Sequence, residues 1–210
     1  MNAVPFDNTV LFDDFAPDVR PPVLPQTDIS YAVSDTAVGR LLLAVRPDGR
    51  LVTSAYVASD VDESAWLQRI ADVVSPRVLR ASAPLDGVRR ELDAYLAGRS
   101  THFSVKPDLV LASEFQRVVL RGLTASVGYG SLTTYGALAA SIDRPKASRA
   151  VGTALGANPL CVVVPCHRVL PAGGFVDGRV RNVGGYAGGP SAKEYLLALE
   201  SRHHPNFCSP

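Results

Sequence analysis

The chain has 210 residues, 47% of them hydrophobic, and a formal charge of +1. That length can hold one large domain or two small ones with a real core, and near-neutrality excludes a general polyanion-binding surface while leaving room for a local basic face. No apolar run reaches the ~18 residues of a membrane span, no secretory leader is evident, and three irregularly spaced cysteines argue against a disulfide framework and for a reducing, cytoplasmic setting. No cysteine pair is spaced for zinc, and His203 and His204 read as part of a loose tail, so neither a metal nor a cofactor is expected.

Residues 1–28, with Pro21, Pro22 and Pro25, read as an extension that cannot be regular helix. Two apolar runs, 39–45 and 51–57, flank Pro47-Asp48-Gly49 and predict a β-hairpin; residues 29–33 add a third strand. Trp66, Ile70 and Val73 predict a helix over 64–74, capped by Ser64 or Asp62. Val88, Leu92, Tyr95 and Leu96 predict another over 84–96, stopped at Gly98. Residues 102–110 look extended. This first half is a small α+β unit with no evident chemistry.

The second half opens with a helix over 113–125, with Ser113 as its cap and Phe115, Val118, Val119, Leu120 and Leu123 as its apolar face. Two short helices follow, 134–142 and 147–155, joined at Asp143-Arg144-Pro145. This is a helix-turn-helix pattern. The second helix carries Arg149, with Lys146, Ala147 and Ser148 at its start, and its other side chains are small, which permits close approach to a nucleic-acid groove or to another backbone. A Gly-rich loop runs from 171 to 190. A last helix over 191–199 turns Tyr195, Leu196 and Leu199 inward and runs into Glu200.

Between the helix pair and the loop lies Asn158-Pro159-Leu160-Cys161-Val162-Val163-Val164-Pro165-Cys166-His167-Arg168-Val169. An apolar run ends on a proline, and a thiol, an imidazole and a guanidinium follow at once. Basic groups beside a thiol enlarge its thiolate population, and the thiolate is the nucleophile. Along an extended chain adjacent side chains point apart, so Cys166 and His167 require a turn or a bridging water to communicate.

Pro165-Cys166-His167-Arg168-Val169, preceded by Ser148-Arg149-Ala150-Val151-Gly152 and Asn158-Pro159, resembles the O6-alkylguanine-DNA alkyltransferase family. Phe115-Gln116, Thr134-Tyr135-Gly136-Ala137-Leu138-Ala139, Gly185-Tyr186-Ala187-Gly188-Gly189 and residues 193–200 match in the same order. The resemblance is strong over 113–200 and weaker over 37–110. It implies an α/β (α+β) fold: a ribonuclease-H-like small sheet with helices over 29–110, a mainly helical domain with the helix-turn-helix over 111–202, and a tail over 203–210. It implies single-turnover transfer of an alkyl group from O6 of guanine, or O4 of thymine, to Cys166, with the base flipped out of duplex DNA. His167 would then be the base and Glu200 its orienting partner, Asn158 the brace around the cysteine, and Tyr135 a donor to the flipped base. Arg149 would be a finger entering the base stack, with Thr134, Lys146, Ala147 and Ser148 also contacting DNA. The carbonyls of Cys166 and Val169 would read the guanine amine, and Pro165, Tyr186, Ala187 and Gly188 would complete the substrate pocket. The expected partner is alkylated duplex DNA, without a membrane. The protein would be a monomer in solution, self-association on DNA being left open.

The step from Cys166 to Tyr186 is twenty residues, longer than is usual in that family. The extra material within 173–182 reads as a pocket lid, a DNA-contacting hairpin or a surface loop, and Arg179 and Arg181 would share a face if it is extended. Cys161 reads as packed and inert or as a second acceptor. Competing functions are a lesion-binding protein without transfer, a helix-turn-helix regulator and a cysteine hydrolase. The hydrolase would need an oxyanion hole, which nothing in the chain indicates.

Overall fold

A computed structural model describes residues 27–202; most of the N-terminal extension (1–26) and the tail with His203, His204 and Cys208 lie outside them. Strands β1 (Ile29–Thr36), β2 (Gly39–Val45) and β3 (Leu51–Tyr56) form an antiparallel meander, with the predicted hairpin between β2 and β3. Leu41 to Val45 are buried in succession because both faces of β2 are covered. Leu41, Leu43 and Val45 pack with Leu92 and Tyr95, whereas Leu42 and Ala44 pack with Ile29, Val52 and Ile70.

The helix on the second of those faces is α1 (Asp60–Val73). It starts earlier than expected: Ser59, not Ser64 or Asp62, is the N-cap, and Asp62 closes a capping box onto it. Ile70 is buried as expected, while Val73 is exposed. A short strand that periodicity did not reveal, β4 (Val78–Arg80), joins β1 in parallel, giving the order β3-β2-β1-β4. A 3-10 turn at Ala83–Leu85 leads into α2 (Asp86–Leu96) on the first face, and Gly98, at φ +70°, lets the chain leave it. Residues 102–110 are not a strand. Pro107 makes one isolated bridge to Leu51, and the segment ends in a 3-10 turn at Leu109–Leu111.

The second half is built on α3 (Glu114–Ser126), capped by a Ser113–Gln116 box. The Gln116 amide also reaches the carbonyls of Ala154 and Ala157, tying the start of α3 to the end of α5. Val119, Leu120 and Leu123 are buried, but Val118 is exposed. Strand β5 (Thr133–Thr134) precedes α4 (Tyr135–Ser141), capped by the Thr134 hydroxyl. A turn containing Asp143 at φ +58° connects it to α5 (Ser148–Gly156). At Gly122 a Cβ would lie 2.4 Å from Ile142, so only glycine admits this turn against α3.

The apolar run before Cys166 is a turn and not a strand. Val162 sits at φ +70°, Val164 N–H donates to Leu160, and Pro165 leads into a 3-10 turn at Cys166–Arg168. This turn covers the free edge of β3: Ser54 N–H donates to Pro159 at 2.9 Å, Thr53 Oγ1 to Pro159 at 2.7 Å, and Ser54 Oγ to Cys161 O at 2.7 Å. Strand β6 (Val169–Leu170) pairs with β5. The long loop holds a two-stranded hairpin, β7 (Phe175–Val176) and β8 (Arg179–Val180), around Asp177-Gly178, both at positive φ as a type I′ turn requires. Helix α6 (Gly189–Ser201) is the last element among the described residues, with Leu196, Leu197 and Leu199 buried and Tyr195, expected inward, 39% exposed. One hydrophobic core runs through both halves, joining β2 and α2 to α3, α5 and α6. No helix among the described residues is long and apolar enough to cross a membrane.

Candidate active site

Cys166 stands at the base of a cavity of roughly 270 Å³, just below the roughly 300–1,000 Å³ usual for small-molecule sites. Tyr135 of α4, Gly152, Leu155 and Gly156 of α5, and Gly185, Tyr186 and Ala187 of the loop form its walls. The thiol is nearly buried. Asn158 fixes it from behind: its Nδ2 donates to Cys166 Sγ at 3.1 Å and to Val164 O at 3.0 Å, while its Oδ1 accepts from Leu160 N–H. The neighbouring Cys161 thiol holds the Cys166 pKa down. Burial opposes this, and Asn158 and the Lys193 charge reinforce it. Cys161 is itself sealed off from solvent, and its thiol is held well above the ordinary value by the same neighbour and by burial.

His167 is fully buried, and its Nε2 lies 2.6 Å from Glu200 Oε1. Glu200 also accepts from Tyr95 Oη on Oε1, and from Arg168 Nε (2.8 Å) and Gly130 N–H (3.0 Å) on Oε2. Burial alone would raise this carboxyl, but the His167 and Arg168 charges and hydrogen bonds hold it down at about 2. An ionised carboxylate only accepts, so the Nε2 facing it carries the imidazole proton. Burial lowers the His167 pKa against the pull of Glu200, which leaves a neutral ring with a lone pair on Nδ1. That atom has no hydrogen-bond partner among the described residues. A neutral imidazole oriented by a carboxylate can act as a general base, and it stands on the Cys166–Arg168 turn, one of the two routes to Cys166, turn or bridging water, that the sequence left open.

A family model described as the DNA-binding domain of 6-O-methylguanine DNA methyltransferase matches residues 114–202. A methylated-DNA–protein-cysteine methyltransferase of Mycolicibacterium paratuberculosis is 39% identical over 181 residues, 84% of this chain and 95% of the relative. One of Methanosarcina acetivorans is 45% identical over 174 residues, 81% and 97% of the two. The chain belongs to the methylated-DNA–protein-cysteine methyltransferase family. Its fold matches the Mycobacterium tuberculosis OGT solved in complex with DNA, with a TM-score of 0.66 and 30% identity over 84% of this chain and 95% of that one. It also matches an O6-methylguanine-DNA methyltransferase of Pyrococcus kodakaraensis at a TM-score of 0.56 and 25% identity, over 82% of this chain and 98% of that one.

Of the site residues expected from that family, the fold brings Cys166, Asn158, His167, Glu200, Tyr135, Tyr186 and Ala187 together. Three further residues expected at the pocket are placed as follows. Pro165 lies on the far side of the turn, in a separate hollow with Phe103 and Val127. The Val169 side chain is in the core, and its carbonyl accepts from Lys193 Nζ at 2.7 Å. Gly188 is not a wall of the cavity; it packs on Tyr56 of β3, where a Cβ would lie 2.4 Å from the ring. Thr134 caps α4, while Arg149 and Lys146 are exposed and Ala147 and Ser148 half-buried at the start of α5. Arg149 precedes Gly152 by three residues and Gly156 by seven, so it shares the pocket-lining face of α5.

Sequence reasoning missed Tyr95, Lys193 and Tyr56, and took Arg168 only as a basic group beside the thiol. Arg168 is buried against Glu200 and also donates to Val127 O. Tyr95 reaches Glu200 from α2. Lys193 is buried in α6, and burial lowers its pKa to about 8 despite the Cys166 charge. Tyr56 reaches Tyr186 across the two halves, with ring centroids 5.5 Å apart. Only Arg168 and Lys193 had a signal, as charged residues inside apolar stretches.

Proposed function

We infer that the protein repairs DNA by direct reversal, moving one alkyl group from O6 of guanine, or O4 of thymine, in duplex DNA onto Cys166 in a single turnover. The observation that carries this reading is a thiol with a lowered pKa at the base of a base-sized cavity, whose α5 wall ends in the exposed Arg149.

The His167 lone pair takes the Cys166 proton, directly or through a water, and Glu200 and Arg168 balance the imidazolium that forms. Lys193, close enough to Cys166 to favour its charge, supports the thiolate. The sulfur attacks the alkyl carbon, the carbon–oxygen bond breaks with its electron pair passing to the base, and the base recovers a proton to become guanine. Tyr135, kept protonated by burial, donates a hydrogen bond to the departing ring. The product is a thioether, and no group at the site removes carbon from sulfur, so each chain acts once.

An O6 lesion is engaged within the duplex, so the nucleotide must swing out at a cost of a few kcal/mol of unstacking, which Arg149 partly offsets by filling the gap. Lys146, Ala147, Ser148 and Thr134 border the same approach. Small side chains on α5 suit contacts to the phosphate backbone, which carry no sequence preference. The reading takes residues 29–110 as scaffold and 111–202 as the reacting domain, working as a monomer in a reducing cytoplasm.

The test is repair of duplex carrying O6-methylguanine. Wild type restores guanine, and Cys166→Ser binds the lesion without restoring it. Equal lesion loss with both proteins, or binding without repair by wild type, contradicts the reading; the second result marks a lesion-binding protein. With a near-neutral chain, affinity falls shallowly with salt. A log–log slope near about −10, as for a strongly basic repressor, would contradict the modest phosphate footprint.

A further inference from the structure

The walls of the Cys166 cavity are of two kinds. Tyr135 stands on α4 and three more wall residues on α5, whereas Tyr186 and its two neighbours stand on the loop between β8 and α6. Inside that loop Gly189 N–H donates to Tyr186 O at 3.0 Å, which fixes the local turn but not its distance from Cys166. The loop rests on Tyr56. The two rings meet edge to face with centroids 5.5 Å apart, and Tyr56 Oη donates to Tyr186 Oη at 3.4 Å. The Gly188 backbone lies so close that a Cβ there would be 2.4 Å from the Tyr56 ring. At 3.4 Å the hydroxyl contact is long, so the bulk of the ring is the main support.

Tyr56 is itself fixed by the sheet. It is the last residue of β3 and pairs with Leu41 of β2, and the next amide, Val57 N–H, donates to Arg40 O at 3.1 Å. The same strand grips the turn before Cys166 through Thr53 and Ser54. One strand therefore positions both the turn that bears the sulfur and the loop that walls its cavity. During transfer the alkyl carbon must sit between the sulfur and the base oxygen, within contact distance of both. Whatever else that carbon carries has to fit between Cys166 and the cavity walls.

We propose that Tyr56 is a positioning residue that limits the size of the transferred alkyl group: its ring holds Tyr186 in toward Cys166, so the site favours methyl over bulky groups. The proposal rests on Cys166 being the alkyl acceptor. Tyr56 is not a wall of the cavity and acts through Tyr186. It forms and breaks no bond: for a methyl or a benzyl group alike, the S–C bond forms and the C–O bond breaks, its electron pair leaving with the base. Burial keeps both phenols protonated, so this support adds no charge beside the thiolate.

The experiment measures single-turnover transfer by wild type, Tyr56→Phe and Tyr56→Ala from two duplexes that differ only in the lesion, O6-methylguanine or O6-benzylguanine. The readout is the benzyl-to-methyl rate ratio, with the group on Cys166 read by peptide mass. Comparing ratios between proteins cancels the different reactivity of the two carbons. Partial unfolding lowers both rates by the same factor, so a merely structural role leaves the ratio unchanged. Thermal melts check the fold, and Tyr56→Leu replaces Ala, with the same expectation, if Ala fails to fold. In Ala the ratio rises about tenfold, the low end of what one methylene of space in a pocket is worth. Phe, which keeps the ring, stays near wild type. An unchanged or lower ratio in Ala, or a rise in Phe as large as that in Ala, overturns the proposal. A wild type that takes neither group from DNA overturns the functional reading, and the size limit with it.

Discussion

The two halves of the molecule use polar residues in opposite ways. In residues 29–110 the interior is almost entirely apolar, and its two buried polar strand residues, Thr53 and Ser54, face outward from the sheet edge to grip the turn that carries Pro159 and Cys161. In residues 113–202 the interior holds Asn158, His167, Arg168, Lys193 and Glu200. The first half is held together by apolar packing; in the second, the buried Arg168 and Glu200 pair with each other and Lys193 donates to a carbonyl. A buried ion pair is weak evidence for stability, so the charged cluster is better explained by the chemistry it orients. The thiol-bearing turn is thus set by the apolar half and charged by the polar one.

The largest effect follows from breaking the charged cluster. Glu200→Ala leaves Arg168 and His167 buried without their anion, which costs about 3–5 kcal/mol, and methyl transfer slows at least about 100-fold as base orientation is lost. Urea unfolding and single-turnover kinetics measure the two. Arg149→Ala comes next and sharpens the contrast between site and surface: unfolding is unchanged because the side chain is exposed, while repair of duplex slows about 10- to 100-fold, the kinetic equivalent of losing part of a few kcal/mol of unstacking compensation. Transfer from the free O6-methylguanine base, which needs no extrusion, is unaffected. A smaller effect tests the scaffold. Ser54→Ala removes the hydroxyl that holds Cys161 O, costing about 1 kcal/mol and slowing transfer severalfold although residue 54 lies on β3, outside the turn that bears the thiol. If transfer is unaffected, the apolar half does not set the turn.

The acid limb of stability separates the halves again. The Glu200 carboxyl is held at about 2 against an ordinary 4.5. A folded-state value below the unfolded one adds stability that is complete above about 4.5 and lost as pH falls toward about 2. Glu200→Gln flattens that limb in urea titrations. An unchanged slope assigns acid unfolding to other carboxylates.

Local patterns in the sequence disclosed most of the architecture. The Pro47-Asp48-Gly49 hairpin, the Ser113 cap and the helix pair around Asp143 depend on neighbours a few residues apart. The α1 cap was misread because the Ser59–Asp62 box lies one turn before the apolar period begins. β4 has only three residues and is held by β1, 49 positions away where Ile29 meets Val78. The 160–164 run has the composition of a strand but folds as a turn, because Asn158 and the edge of β3 take up its hydrogen-bonding groups. The reacting group was legible because Cys166, His167 and Asn158 are close in sequence, and Glu200 was legible through the family motif. Tyr95 was not, since a phenol 105 residues from its partner leaves no local signature; Arg168 and Lys193 stood out as charges, but their partners 32 and 24 residues away did not.

The central claim is that Cys166 accepts one carbon and keeps it. Wild type incubated with a large excess of duplex O6-methylguanine, then weighed intact and mapped by peptide mass, should stop at one methyl group per chain, all of it on the peptide holding Cys166. An unmodified chain, a methyl group found elsewhere, or many lesions repaired per chain would contradict the account.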